Sequence, residues 1–414
     1  MKPHLLPLIV LSLVTSTAWA AAPQQAPVPS RGGILPSGVH SDQASWQHFV
    51  HIVAPVSPTQ AQFETWASNL DIYTDTPKWP TQEQAAEKKL QASQLHHSKS
   101  PHASRIAPTI DDYSCAPVGN AVAGNFPVAN TTAPGPSATQ GIVQPCFGEE
   151  VRRNRPSYDY LVGNNLNTQK GLAAAYARAT KPVKRGATPW RVSLPVDSVE
   201  VKADWIPSRT LIEWLGKNGV TMNDAQVKQK YYTTTSKGDL YALVSLHVSS
   251  KEIPNWVWAT FEHENNPGRC DTMGCFDSFG AVKAAIAPVK KDNGQYGACT
   301  KVPALKAMFK SKNLSGVWDS YCLKSSQIDY VAKNGAPLML GDSFTERVAA
   351  AVPINQSSCL ACHAGAAINK DGTAFTKILN SFPVGKVTLP KDVVAMDFIW
   401  GVLHAKPPAN KAAP

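Results

Sequence analysis

Ser198-Val199-Glu200-Val201-Lys202-Ala203-Asp204-Trp205 alternates without a break. Val199, Val201, Ala203 and Trp205 fall on one side of an extended chain, and Glu200, Lys202 and Asp204 on the other. A period of two is that of a half-buried antiparallel strand. Leu240 to Val248 alternates again, and Trp256 to His263 is a third, aromatic-rich run. Apolar residues at helical spacing lie between and after these runs, in Gln169 to Ala179, Thr210 to Lys217 and Val302 to Lys310. Together they predict an α+β fold: an antiparallel β core with short surrounding helices.

Toward the N-terminus, Trp46 to Val53 is a short apolar stretch ended by Pro55. Ser57-Pro58-Thr59-Gln60 has the form of a helix start, and Phe63, Trp66 and Leu70 predict one amphipathic helix over Gln60 to Leu70. Thr81 to His97 is polar and runs into Ser98 and Pro101, a linker composition in which His96, His97 and His102 read as solvated. Lys2, the apolar run Leu5 to Val14, and Ala18-Trp19-Ala20 make a secretory signal pattern whose apolar run is too short to span a bilayer. The chain therefore divides into a signal peptide (1–20), an N-terminal helical region and flexible linker (21–110), a β-rich core (111–345), a C-terminal segment (346–405) and a disordered tail (406–414). The expected location is the periplasm.

The formal net charge of +10 is spread along the chain and not gathered into a block. No nucleic-acid motif is present, and a basic surface suits an acidic partner. Of eight cysteines, Cys115, Cys146, Cys270, Cys275, Cys299 and Cys322 form an even set suited to an oxidising compartment. Sequence leaves their pairing open. Local closure favours Cys115–Cys146, Cys270–Cys275 and Cys299–Cys322.

The remaining two stand in Cys359-Leu360-Ala361-Cys362-His363, a C-x-x-C-H haem-attachment sequence. Two thiols at this spacing match the two vinyl groups of haem, and the adjacent imidazole reaches the iron as an axial ligand. A disulfide redox motif wants a βαβ context, and a zinc site wants a second ligand pair; neither pattern occurs here. The expected cofactor is one covalent haem c. Its sixth ligand is open: Met396 lies downstream in an apolar stretch, and His263, His247 and His404 are the histidine candidates. Only 51 residues follow His363, too few to wrap a haem alone. The β core should thus supply part of the pocket, with Trp256, Trp258 and Phe261 as wall residues. Gly341-Asp342-Ser343-Phe344 has the look of a hydrolase nucleophile block but lacks its partner motifs. In Glu262-His263-Glu264, alternation sends the histidine to the face opposite both glutamates.

These stretches carry a wider likeness. Trp46-Gln47-His48-Phe49-Val50, Phe63-Glu64-Thr65-Trp66, Glu150 to Arg155, Val199 to Trp205, Trp256 to His263, Ser358 to His363 and Asp397-Phe398-Ile399-Trp400 run in order through most of the chain. In them it resembles exported bacterial proteins grouped as "cytochrome c family protein". The segment around Ile52 to Pro58 and the long polar linker depart from that pattern. The resemblance implies one c-type haem on a largely non-cytochrome scaffold, without fixing a substrate or a distal ligand. It makes His263 the leading further site candidate.

Single-electron transfer to a redox partner protein is the first functional expectation. The alternatives are a haem-dependent oxidoreductase with an open iron site, helped by His263 or Glu262 as acid–base group, and a haem-based binding or sensing module.

Overall fold

A computed structural model describes residues 39–81, 148–236, 239–287, 293–314, 316–346, 354–380 and 383–405. The signal pattern, the polar linker, Cys115, Cys146 and the C-terminal tail lie outside the described residues.

The alternating stretch forms the middle of a seven-stranded sheet. In chain order the strands are β1 (Pro55–Ser57), β2 (Gln60–Ala61), β3 (Ala67–Ser68), β4 (Gly148–Arg153), β5 (Val199–Pro207), β6 (Thr233–Ser236), β7 (Asp239–Ser250), β8 (Val257–His263), β9 (Tyr321–Gln327), β10 (Ala367–Ile368) and β11 (Val394–Ala395). The main sheet runs β3-β4-β5-β7-β8-β9, with β6 paired to β7; β1–β2 and β10–β11 are separate two-stranded pairs. Every pair in the main sheet is antiparallel. The helices are α1 (Val39–Ile52), α2 (Asn69–Ile72), α3 (Arg155–Gly163), α4 (Gln169–Thr180), α5 (Ser208–Lys217), α6 (Asp224–Lys230), α7 (Pro303–Ser311) and α8 (Cys359–Ala364). The fold is α+β around an antiparallel sheet, as the sequence predicts.

The apolar face of the alternation builds the main core. Val199, Val201, Ala203 and Trp205 of β5 lie with Leu246, Val248, Ala259 and Phe261 beneath Trp46, Phe49 and Val50 of α1. The Phe261 ring sits 4.9 Å from Trp46 and 4.5 Å from Phe49, so this wall candidate belongs to the core on the far side from the cysteines. Aromatic contacts of this kind add about 0.5–1.5 kcal/mol each beyond simple burial.

The expected helix over Gln60 to Leu70 does not form. The chain instead makes β2, one 3₁₀ turn over Gln62–Thr65, and then β3. The Glu64 carboxylate accepts the Ala61 N–H at 2.8 Å and the Tyr232 hydroxyl at 2.5 Å, fixing the turn. Trp66 is extended, and Ala67 and Ser68 pair with Arg153 and Arg152 of β4. Phe63 and Trp66 are buried by this route while Leu70 stays exposed, so tertiary pairing overrides the helical spacing. Four helices escaped the sequence reading: α1, expected only as a short apolar stretch, and α3, α6 and α8. In α3, Asn154 caps the Ser157 N–H at 3.3 Å and Pro156 lies in the first turn.

Disulfides join Cys270 to Cys275 and Cys299 to Cys322. No helix among the described residues is long and apolar enough to cross a membrane.

Candidate functional site

The polar face of β5 is not solvated. Glu200 and Asp204 are buried, and the only intermediate position on the strand is Lys202. The half-buried expectation therefore fails on this face, because the C-terminal segment covers it. Register aligns three cross-strand rows: Glu200–Ser249–Trp258, Lys202–His247–Thr260 and Asp204–Ser245–Glu262. Against this array stands α8, and between them lies a cavity of about 180 Å³. Glu200, Lys202, His247 and Trp258 line it from the sheet; Glu346, Cys359, Cys362 and His363 line it from the other side.

Short polar links hold α8 to the sheet. Ser358 caps the helix by accepting the Ala361 N–H at 3.2 Å. Gln327 of β9 donates to the Ser358 hydroxyl at 2.9 Å and accepts the Leu360 N–H at 3.2 Å. Cys359 donates through its N–H to the Leu340 carbonyl at 3.1 Å, and Trp400 donates to the Cys362 carbonyl at 3.2 Å. Buried amide groups left unpaired would each cost about 1–3 kcal/mol, so these links fix where the two sulfurs point.

Cys359 and Cys362 are free thiols, whereas the other four described cysteines are paired. Burial raises the pKa of Cys359 above its ordinary value, partly offset by a hydrogen bond from His247, and pushes Cys362 up to about 12. An activated redox dithiol has the opposite character.

The His363 Nδ1 donates to the Phe398 carbonyl at 2.8 Å, which leaves Nε2 with a free lone pair. Burial holds this imidazole neutral, with its pKa near 4, and its ring lies 4.4 Å from that of Trp258. Metal-ligating histidines are characteristically oriented in this way, through a bond from the second nitrogen to a carbonyl or carboxylate. The carbonyl is delivered by an unusual turn. Asp397 and Phe398 are consecutive non-glycine residues with φ of 50° and 71°, conformations that cost about 1–3 kcal/mol each. The Asp397 carboxylate anchors the turn by accepting Lys251 Nζ at 2.5 Å, the Leu194 N–H at 2.7 Å and Trp256 Nε1 at 3.4 Å.

A charged cluster backs the cavity. His247 Nε2 donates to Asp342 at 2.8 Å, and Asp204 accepts from Ser245 and from Thr345, each at 2.7 Å. Lys202 pairs with Glu149 at 3.2 Å, and Arg153 with Glu200 at 2.6 Å. Burial alone would lower the His247 pKa; the Asp342 carboxylate outweighs it and raises the value well above 6.5. Burial also opposes the charge on Asp342, but the His247 cation holds that pKa below the carboxylate range. Among the described residues, Glu149, Asp204, Asp342 and Glu346 face two cations, Lys202 and His247. Burial accordingly raises Glu149 and Glu346 toward their protonated forms. Two overlapping trios in the cluster have ligand-type geometry for a metal ion: His247, Glu346 and Cys359, and Asp204, His247 and Asp342.

The structure brings Cys359, Cys362, His363 and Trp258 together with His247. Met396 is elsewhere: it is fully buried in an apolar cluster with Leu360, Ile368 and Ile399, its N–H bonded to the Ala366 carbonyl, and it does not line the cavity. Trp256 packs in the same cluster. Nor does His263 line the cavity. Its Nε2 donates to the Lys230 carbonyl at 3.1 Å, its Nδ1 accepts the Asn265 N–H at 3.2 Å, and its ring stacks on Tyr231 at 3.5 Å. Glu262 is held by Lys324, Asn266 and Ser343. Sequence reading missed Lys202, Asp204, Asp342 and Glu346. In the sequence, Asp342 is visible only within Gly341-Asp342-Ser343-Phe344.

Burial drives the His263 pKa down to about 3. The unfolded chain then takes up a proton near pH 6.5 that the folded chain refuses, so stability should fall as pH drops from 6.5 toward 3. The slope from this one group approaches 1.4 kcal/mol per pH unit. Urea titrations of the wild type and His263→Gln at pH 7 and pH 5 check it; equal pH dependence in both would reject the assignment.

The donor set fits a c-type haem: two free thiols with two residues between them and a neutral imidazole with an oriented, uncommitted nitrogen, all on one cavity. At about 180 Å³ that cavity is smaller than sites that enclose a whole ligand, so the fit rests on the chemistry of the donors. No known family model, curated protein or solved structure matches the chain.

Proposed function

We propose that the chain is an exported, periplasmic c-type haem protein working in single-electron transfer with a redox partner protein. The observation that carries this is the convergence of Cys359, Cys362 and the Phe398-oriented imidazole of His363 on one cavity beside the β core. Cys359 and Cys362 would hold the group through thioethers, and His363 would supply a nitrogen ligand to its iron. When bound, the haem supplies a one-electron iron couple. Trp258 packs against the His363 ring from the sheet side, and the Phe398 carbonyl of the Asp397–Phe398 turn orients it. Lys202 and His247 place positive charge on the opposite wall. The net charge of +10 suits an acidic redox partner, and two disulfides suit an oxidising compartment.

A second reading, an open-faced haem oxidoreductase or ligand-binding module, is favoured by a specific observation. Among the described residues that line the cavity there is no methionine, and the one imidazole besides His363 is that of His247, whose Nε2 is committed to Asp342. The reduced protein, expressed with a haem-attachment system, should give a c-type optical spectrum. A spectrum unmoved by carbon monoxide means closed iron and electron transfer. One that shifts moves the assignment to the second reading, and the absence of haem bands overturns both.

A further inference from the structure

A second cavity lies beside α7, on the side of the molecule where Phe309 and Leu314 join the α1 core. It holds about 580 Å³, within the range of small-molecule sites. Three lysines line it, Lys301, Lys306 and Lys310, against a single acidic residue, Asp319.

Lys306 and Lys310 stand one turn apart on α7, both exposed. Like charges at this spacing repel by a few tenths of a kcal/mol. None of the ion pairs among the described residues relieves them. Lys301 is the more telling. It is only 6 % exposed, and its ammonium lies 5.7 Å from the Trp46 ring and 5.5 Å from the Phe309 ring. It donates to the Asp319 main-chain carbonyl and, at 3.8 Å, to the Cys299 sulfur. An ammonium carries three protons; these partners take two, and the residue also lines the cavity. Burial brings its pKa down to about 8, which still leaves it mostly protonated at neutral pH. Thr300 and Asn313 add neutral polar groups to the rim.

A buried cation on the cavity wall, two unpaired cations on an adjacent helix face and a cavity between them together describe a receptor for negative charge. We propose that this cleft binds a small oxyanion carrying two or more charges, a polycarboxylate or a phosphate compound, seated between Lys306 and Lys310 and contacted from beneath by Lys301. The site is independent of the haem reading, since its residues belong to the opposite face of the sheet.

The test is calorimetric titration of the full-length protein, as purified, with citrate and, separately, pyrophosphate. At least one should bind saturably at one site per chain, and which one does distinguishes carboxylate from phosphate recognition. Lys306→Ala/Lys310→Ala should weaken that binding at least about tenfold, as expected for losing charge-assisted hydrogen bonds. Both positions are exposed, so folding is unaffected. Lys301→Met should weaken it further, but its burial makes the surface pair the deciding variant. Lys283→Ala/Lys333→Ala, equal in charge change and exposed elsewhere, should leave it unchanged. No saturable binding of either probe at millimolar concentration, binding indifferent to the Lys306/Lys310 change, or equal loss in the control would overturn the proposal.

Discussion

Cys359→Ala/Cys362→Ala, co-expressed with a haem-attachment system, should carry no covalent haem, whereas the parent should keep haem through denaturing electrophoresis. The effect is all-or-none because both thioether sulfurs are gone. Either single variant should retain one link and an altered spectrum. The folded scaffold should survive, since each change removes one sulfur from a half-buried position and leaves Leu360 and Ala361 buried beneath. The helix itself is held from elsewhere, by Gln327, Ser358 and Trp400. Haem that stays with the denatured double variant would end the attachment assignment. A variant that fails to fold would be recognised by loss of its cooperative urea transition.

Asp397→Ala should be the most destabilising single change away from the main core. Lys251 and Asp397 pair at 2.5 Å with side chains only 9 % and 8 % exposed. Removing the carboxylate strands a buried ammonium beside the Trp256 ring and frees the Leu194 N–H. Breaking one partner of such a pair costs about 3–5 kcal/mol. The anchor of two left-handed residues is lost with it, so the Phe398 carbonyl should leave His363 and free the ring to rotate. Lys251→Met/Asp397→Leu should recover part of the stability, because an apolar pair strands no charge, yet leave the turn unanchored. Urea denaturation measures the first effect, and the reduced optical spectrum measures the second. A loss below about 1 kcal/mol in Asp397→Ala would mean that the turn is held by something other than this pair.

Much of the sheet was legible because period-two alternation is a local property. Val199 to Trp205, Leu240 to Val248 and Trp256 to His263 each became strands within a few residues of their expected ends. Alternation says that a strand has two unlike faces; it does not say what covers each. The burial of Glu200 and Asp204 comes from a segment some 150 residues downstream, so no local pattern announces it. The cluster is non-local in the same way, with Thr345 reaching Asp204 across 141 positions. His247 was named as a candidate from its residue type alone, and only the fold sets it beside Cys359. The α3 start has a local signal in Asn154-Arg155-Pro156-Ser157, a capping residue with proline in the first turn. The left-handed turn at Asp397 and Phe398 has no glycine to mark it. Over Gln60 to Leu70 the local spacing misled, because Phe63 and Trp66 are buried by strand pairing on either side of a 3₁₀ turn.

The contrast between the two faces of β5 has a consequence for folding. A slip of one residue against β4 or β7 would exchange every side chain between the faces. In most two-layered sheets this moves apolar groups into water. Here it would drive Glu200, Lys202 and Asp204 against Trp46, Phe49 and Phe261, while Val201 and Trp205 met the ionised partners of the opposite layer. Each stranded charge would cost several kcal/mol, so misregistered sheets have no compact state in which to linger. The same ionic layer that walls the cavity thus acts as a proofreading device, narrowing the folding landscape around one alignment of the central strands.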